Sequence, residues 1–200
     1  MSSAVEQTLT KCLAGKIAIV TGGNRGIGCA IAKALAEQGA GVMIAARDAA
    51  ALDWVAGEIR AMGEVASTCT LDLREVPNAA KLVQATIDTF GGLDILVNNA
   101  GATKRAAFLE LTEADWADGF ALKFFGAVRL IRHAWPYLKQ RAGSVVNIAG
   151  VGGRTPGAEF AVGGSVNAGL LSLTKSLAEL VCKTRFRSTP STREPYGPIA

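Results

Sequence analysis

One loop constrains the fold of this chain more than any other feature. Thr21-Gly-Gly-Asn-Arg-Gly-Ile-Gly28 joins two segments of different periodicity. Before it lies a short apolar run, Lys16-Ile-Ala-Ile-Val20, which reads as a buried strand. After it, Ile27, Ile31, Ala34, Leu35 and Gln38 recur at helical spacing, and Gly39 supplies a stop. A glycine-rich turn from a strand into a helix is the setting of a phosphate-binding loop. Gly22 and Gly26 permit a tight turn and close backbone approach, and Gly28 lets the helix close on the strand. The free N–H groups and dipole of the helix start then favour an anion such as a pyrophosphate. Thr21, Gly22, Asn24, Arg25, Gly26, Ile27 and Gly28 are therefore the expected residues of that site.

The rest of the chain repeats the strand–helix alternation. Strands are expected at Gly41–Ala46, Val65–Leu71, Leu93–Val97 and Gly143–Ile148. Helices are expected at Ala49–Met62, Pro77–Phe90, Glu113–Leu138 and Ser165–Val181, the last with Leu170, Leu173, Leu177 and Leu180 as its apolar stripe. This order implies an α/β fold: a Rossmann-type, doubly wound parallel sheet in a three-layer α/β/α arrangement. Two hundred residues fit one such unit, since α/β domains run to roughly 250 residues. The expected domain is residues 1–182.

The end of the second strand bears on the ligand. Folds that prefer NAD place an acid there to hold the ribose 2′-hydroxyl. Here the strand ends Ala45-Ala46-Arg47, and Arg25 lies in the glycine loop. Two guanidinium groups suit a 2′-phosphate, which favours NADP(H), with NAD(H) as the alternative. The competing reading is two exposed arginines with other partners.

Composition excludes several other classes. Hydrophobic residues make up 50% and mean hydropathy is +0.28, enough for a large core. No apolar run reaches the roughly 18 residues of a membrane span. The richest stretch, Phe120 to Leu138, is broken by Lys123, Arg129, Arg132 and His133. The first residues lack a charged segment followed by an apolar one, so no secretory signal is expected. Cys12, Cys29, Cys69 and Cys182 are widely spaced, which suits buried free thiols in a reducing cytoplasm. Net charge is +4, and Lys183, Arg185, Arg187 and Arg193 near the end face Glu194 alone. Without a recognition motif this reads as a solvated tail, and no nucleic-acid or membrane partner is expected.

Taken together, the glycine loop, Leu71-Asp72-Leu73, Asn98-Asn99-Ala100-Gly101, Trp116 and Gly143-Ser-Val-Val-Asn147 resemble the short-chain dehydrogenase/reductase family from about Gly15 to Glu179. The resemblance implies hydride transfer between NAD(P) and a small-molecule alcohol or ketone. It places Asp72 and Leu73 at the adenine end and Asn99, Ala100 and Gly101 along the cofactor. It also implies a homodimer or homotetramer built on the two long helices.

The resemblance further implies a Tyr general acid/base, a Lys four residues later that lowers the Tyr pKa, a Ser that orients the substrate oxygen, and an Asn in the preceding helix. A phenol with a pKa near 10 needs a nearby cation to act as a base near neutrality. In this chain the matching positions are Gly163, Asn167, Gly150 and Lys123. No Tyr and no Lys lies between Gln140 and Thr174, and the only tyrosines are Tyr137 and Tyr196. No residue is thus assigned the family's catalytic role, and a cofactor-binding protein without catalysis, or a partner subunit, is the alternative function. Lys123, Glu159 and Ser165 are the candidates for a rewired site, against the reading that they are ordinary surface residues. His133, the only histidine, reads as a helix-surface residue.

Residues 183–200 read as an irregular basic tail. Back-translated with chosen synonymous codons and read two bases on, Lys183–Ala200 becomes Asp-Ala-Val-Ser-Val-Asn-Ala-Ile-Asn-Pro-Gly-Ala-Val-Trp-Thr-Asp-Arg. That string resembles the family's sixth strand and its Asn-Pro-Gly turn. The expectation is a frameshift after about Val181 or Cys182, a sheet without its C-terminal strands, and an open sheet edge.

Overall fold

β1 (Ile17–Thr21) sits at the centre of a five-stranded parallel sheet because its residues are apolar on both sides. Ala18 and Val20 point to one face, where they meet Ala32 and Ala36 of α1 (Gly26–Glu37) and Leu52, Val55 and Ile59 of α2 (Ala49–Ala61). Ile19, one residue out of phase, points to the other face. There it meets Leu82 and Val83 of α3 (Asn78–Phe90) and Leu130, Ile131, Ala134 and Leu138 of α5 (Gly126–Gln140). The period of two thus divides one strand between two cores and makes the three layers. Each large aliphatic side chain fully buried this way contributes about 1.5–3 kcal/mol. In this computed structural model the described residues are 11–187.

The strand order is β3-β2-β1-β4-β5, with β2 at Gly41–Ala46, β3 at Ala66–Thr70, β4 at Ile95–Asn98 and β5 at Ser144–Asn147. All pairs are parallel, so the expected fold is the observed one. β1 pairs with β2 on one side and β4 on the other, so the order reverses there and a crevice opens at the strands' C-terminal ends. Among the described residues β5 is an edge strand, and Val146 on it is 44% exposed.

Two helical segments differ from expectation. The helix expected from Glu113 to Leu138 is divided: α4 (Glu113–Gly119), a π-helical turn at Phe120–Phe125, then α5. Such turns inside helices are frequent at functional sites. The last helix, α6 (Ala161–Arg187), starts four residues before the expected Ser165. Gly163 and Gly164 look like breakers in sequence, yet here they serve as contact points. The Phe160 ring lies where a Cβ on Gly163 would stand, and Pro156 lies against Gly164. Tertiary packing overrides propensity at this point. The helix also continues to Arg187, five residues past Cys182, where the irregular tail was expected to begin. Lys and Arg are good helix formers, so basic composition does not by itself stop a helix. The remainder of the tail and its frameshift reading lie outside the described residues.

At the opposite end from the crevice, Asp94 fastens three strands. Its carboxylate accepts hydrogen bonds from the Ile17 amide at 3.0 Å, Lys16 Nζ at 3.1 Å and Arg141 Nη1 at 3.1 Å, and the residue is 3% exposed. Its carbonyl accepts from the Ser144 amide at 2.8 Å, which ties in β5. Burial raises the Asp94 carboxyl, but the Ile17 amide, Lys16 and Arg141 outweigh it and hold it below the ordinary carboxylate value. A pKa lowered by folding contributes stability above the unfolded value near 3.9, and that contribution is lost as pH falls through the folded value. Asp94→Asn is therefore expected to cost about 1–3 kcal/mol at pH 7, with the gap to the natural chain closing below about pH 4. Urea denaturation at pH 7 and pH 3 measures it; an equal gap at both would refute the account.

The thiols depart from expectation. All four are free, but Cys12 and Cys182 are exposed and Cys29 and Cys69 are half-buried. Cys29 packs against one core and Cys69 against the other from partly exposed positions. Among the described residues no helix is long and apolar enough to cross a membrane.

Candidate functional site

The site forms where β1 ends and the chain turns into α1. Gly22 and Gly26 have φ of +63° and +53°, values that favour glycine. Gly28 is required for a different reason. A Cβ there would lie 2.3 Å from the Gly22 carbonyl oxygen and 2.4 Å from Asn99 Nδ2. The helix start is thus pressed directly onto the loop. Arg25, the residue before α1, is extended and gives no side-chain cap, and the first turn holds no acid. The first N–H groups of α1 remain available to an anion.

A second segment locks this loop. Thr21 Oγ1 donates to the Val97 carbonyl at 3.3 Å and accepts from the Asn99 and Ala100 amides, both at 3.0 Å. Asn99 Nδ2 donates to the carbonyls of Thr21 at 3.0 Å and Gly22 at 3.2 Å. One hydroxyl and one carboxamide therefore join the ends of β1 and β4. Neighbouring Asn98 donates to Asn147 Oδ1 at 2.9 Å, and Asn147 Nδ2 donates to Thr174 Oγ1 at 2.9 Å. That relay carries the end of β5 and α6 into register with the site. Thr174 was missed in the sequence reading; the one available signal was the polar residue ending each of two adjacent parallel strands.

These elements enclose a cleft of about 710 Å³. Gly22, Asn24, Arg25, Gly26, Ile27, Gly28, Arg47, Asp72, Leu73, Asn99, Ala100 and Gly101 all line it. Thr21 does not: at 1% exposed it braces the floor from below. Lys123 and Gly150, both singled out in the sequence, also line it, and Leu122, Ile148 and Ala149 extend the lining beyond the residues read from sequence.

Charge is unevenly committed along the cleft. Arg47 Nη1 lies 3.6 Å from Asp72 Oδ2, yet its side chain is 65% exposed and free to turn toward a ligand. Asp72 also accepts from the Arg74 amide at 2.9 Å, and Arg74 in turn holds Asp118 with two nitrogens. Hydrogen bonding to Arg74 keeps the Asp118 carboxyl below its usual range. Asp48, beside Arg47, caps α2 by accepting from the Ala51 amide at 3.1 Å.

At the inner end, the three positions matched to the family's Ser, Tyr and Lys come together without any of those side chains. Asn167 is 3% exposed. Its Oδ1 accepts from the Gly150 amide and its Nδ2 donates to the Gly163 carbonyl, both at 2.7 Å. A carboxamide thus bridges two glycines, with the Phe160 ring packed over the second. Lys123 sits in the π turn, its stem laid on Gly101, and burial pushes its amine down from the ordinary lysine value. Of the candidates for a rewired site only Lys123 lines the cleft. Glu159 and Ser165 are exposed and lie outside the lining, because α6 starts early and turns Ser165 outward. His133 is exposed on α5, as expected, and Tyr137 packs into a core; Tyr196 lies outside the described residues.

Comparison with known proteins agrees with this geometry. The family model of the short chain dehydrogenases matches residues 16–188. An uncharacterised oxidoreductase of Mycobacterium tuberculosis is 40% identical over 169 residues, covering 84% of this chain and 64% of its own length. One of Staphylococcus epidermidis is 32% identical, over 87% of this chain and 75% of its own. A dehydrogenase/reductase from Sinorhizobium meliloti superposes with a TM-score of 0.83 at 36% identity, covering 87% of this chain and 69% of that one. A metagenomic short-chain oxidoreductase solved with NADP gives 0.82 at 33% identity, covering 86% and 78%. The chain thus spans about two thirds to three quarters of the length of these relatives.

A doubly wound sheet with a glycine loop at its switch point defines a dinucleotide-binding fold. This chain belongs to the short-chain dehydrogenase/reductase family.

Proposed function

We propose that the cleft binds NADP(H) and that the protein acts as an oxidoreductase on a small alcohol or ketone. The observation that carries the reading is the fit of the loop to a pyrophosphate. Gly28 leaves no space for a Cβ, Gly22 and Gly26 hold left-handed turns, and α1 starts with uncapped N–H groups. Arg47 and Arg25 both line the cleft and supply two guanidinium groups for a 2′-phosphate. Asp72 and Leu73 serve the adenine end, with Asn99 to Gly101 running along the dinucleotide. Neighbours solved with NADP support the same cofactor. The bound nicotinamide supplies or accepts a hydride.

The residues of this chain would bind and orient rather than move a proton by a phenol. Gly150, Gly163 and Asn167 carry no group that titrates near neutrality. Asn167 instead holds the turn after β5 against the first turn of α6. This observation favours a second reading, a dinucleotide-binding protein or partner subunit with little turnover. A homodimer through the long helices remains a family expectation for either.

Arg47→Ala separates the cofactors. Losing a charge-assisted contact to the 2′-phosphate, about 1.5–3 kcal/mol, is expected to weaken NADPH binding by about 10- to 100-fold and to leave NADH nearly unchanged. Titration followed by nicotinamide fluorescence reads both. Equal effects on the two would remove the NADP preference, and no binding of either by the natural chain would overturn the cofactor reading.

A further inference from the structure

Lys123 differs from the other lysines between residues 11 and 182. Lys11, Lys16, Lys33 and Lys104 are paired with Glu64, Asp94, Glu58 and Asp115. Lys81, Lys139 and Lys175 are exposed. Lys123 is half-buried, lines the cleft, and has no hydrogen-bond or ion-pair partner among the described residues.

The local fold creates this situation. The π turn at Phe120–Phe125 carries Lys123 to the cleft wall. Gly101 gives its stem a surface: a Cβ there would lie 2.7 Å from Lys123 Cδ. Gly101, Ala102, Leu122, Ala149 and Gly150, all without charge, line the same cleft. The acids nearby are committed elsewhere. Asp115 holds Lys104, Asp118 holds Arg74, Asp72 holds Arg47 and Arg74, and Asp48 caps α2. Glu159 is exposed and outside the cleft. Desolvation without an anion favours the neutral amine, the nucleophilic form. Burial does push this amine down, while the hydrogen bond to Glu58 pushes the paired Lys33 up.

We propose that Lys123 is an imine-forming lysine that captures an aldehyde or ketone at the inner end of the cleft. The Nζ lone pair attacks the carbonyl carbon and a C–N bond forms. The carbonyl oxygen takes up, in net, the two protons that Nζ loses; the C–O bond of the carbinolamine breaks, water leaves, and the C=N bond of the imine forms. No oxidant or reductant is consumed. The inference rests on the reading of the cleft as a carbonyl site, and it gives that site a covalent anchor.

The test is reductive trapping on the full chain. The protein is incubated with benzaldehyde and sodium cyanoborohydride, with and without NADPH, and the adduct is located by peptide mass mapping. Hydride from the borohydride reduces the imine to a stable secondary amine. Trapping at Lys123 is expected to run about 10-fold faster than at Lys81, Lys139 or Lys175. Lys123→Arg, which keeps the charge, is expected to lose the fast adduct while retaining the helical circular dichroism of the natural chain. Equal or slower trapping at Lys123, or an unchanged fast adduct in Lys123→Arg, overturns the proposal. NADPH binding is measured in parallel. Binding without fast trapping defeats this inference alone; fast trapping without binding leaves it standing and defeats the cofactor reading.

Discussion

Gly28→Val is expected to weaken NADPH binding by about 100-fold or more, equivalent to at least about 2.7 kcal/mol, while the sheet stays folded. The cause is steric and local. The new Cβ would stand 2.3 Å from the Gly22 carbonyl oxygen and 2.4 Å from Asn99 Nδ2. Neither is the tip of a flexible side chain: one is loop backbone, and the other is pinned by bonds to Thr21 and Gly22. The loop or the helix start must move. Either movement breaks the Asn99 bonds, worth about 1 kcal/mol each, and overpacking adds about 1–3 kcal/mol. The N–H groups of α1 would then no longer converge on the cleft. Gly57→Ala is the control. It lies inside α2 with nothing within 4 Å of the added Cβ, so it should leave binding alone and stabilise by about 0.5–1 kcal/mol. Fluorescence titration and urea unfolding on both variants test the account. If Gly28→Val bound NADPH like the natural chain, the glycine loop would not be the pyrophosphate cradle.

What could be read beforehand was whatever local periodicity or a backbone requirement carries. The one-residue offset of Ala18, Ile19 and Val20 already implied two cores, and the glycines implied the loop. In sequence Gly28 reads as a contact with the strand; the contact is with the loop and Asn99, which only the fold brings there. Asp94 gave no local signal, because its partners Lys16, Ile17 and Arg141 are distant in sequence. The π turn was invisible because its residues, Phe120–Phe125, are apolar apart from Lys123 and continue the composition of one long helix. The start of α6 was misplaced because two glycines predict a break, whereas here they admit Phe160 and Pro156. Arg47 was legible as a cation at a strand end, but its sharing of Asp72 with Arg74 was not. Lys123 could be named as a candidate, yet its isolation depends on where every nearby acid found its partner.

Asn167→Ala is expected to cost about 2–5 kcal/mol of stability and to weaken cofactor binding with it. The side chain satisfies two backbone groups from inside a nearly closed space. Its removal leaves the Gly150 amide without its acceptor and takes away the second donor to the Gly163 carbonyl. A buried polar group left unmet costs about 1–3 kcal/mol, and the vacated volume adds to it. Gly150 also lines the cleft, so loosening the turn after β5 changes the wall facing Lys123. Asn167→Asp sharpens the test: it keeps the acceptor for Gly150 but places a carboxylate beside the Gly163 carbonyl oxygen at a 3% exposed position. If the bridge is structural, the Asp variant should be no more stable than the Ala variant at neutral pH and should recover as acid protonates the carboxyl and restores a donor. Natural stability in either variant would show that the bridge is incidental. The same geometry predicts that Asn167→Lys alone cannot create the family's catalytic pair. Gly163 offers no phenol, and a side chain added there would meet the Phe160 ring at 2.1 Å. Restoring the pair requires the ring to leave as well, so Phe160, Gly163 and Asn167 must change together.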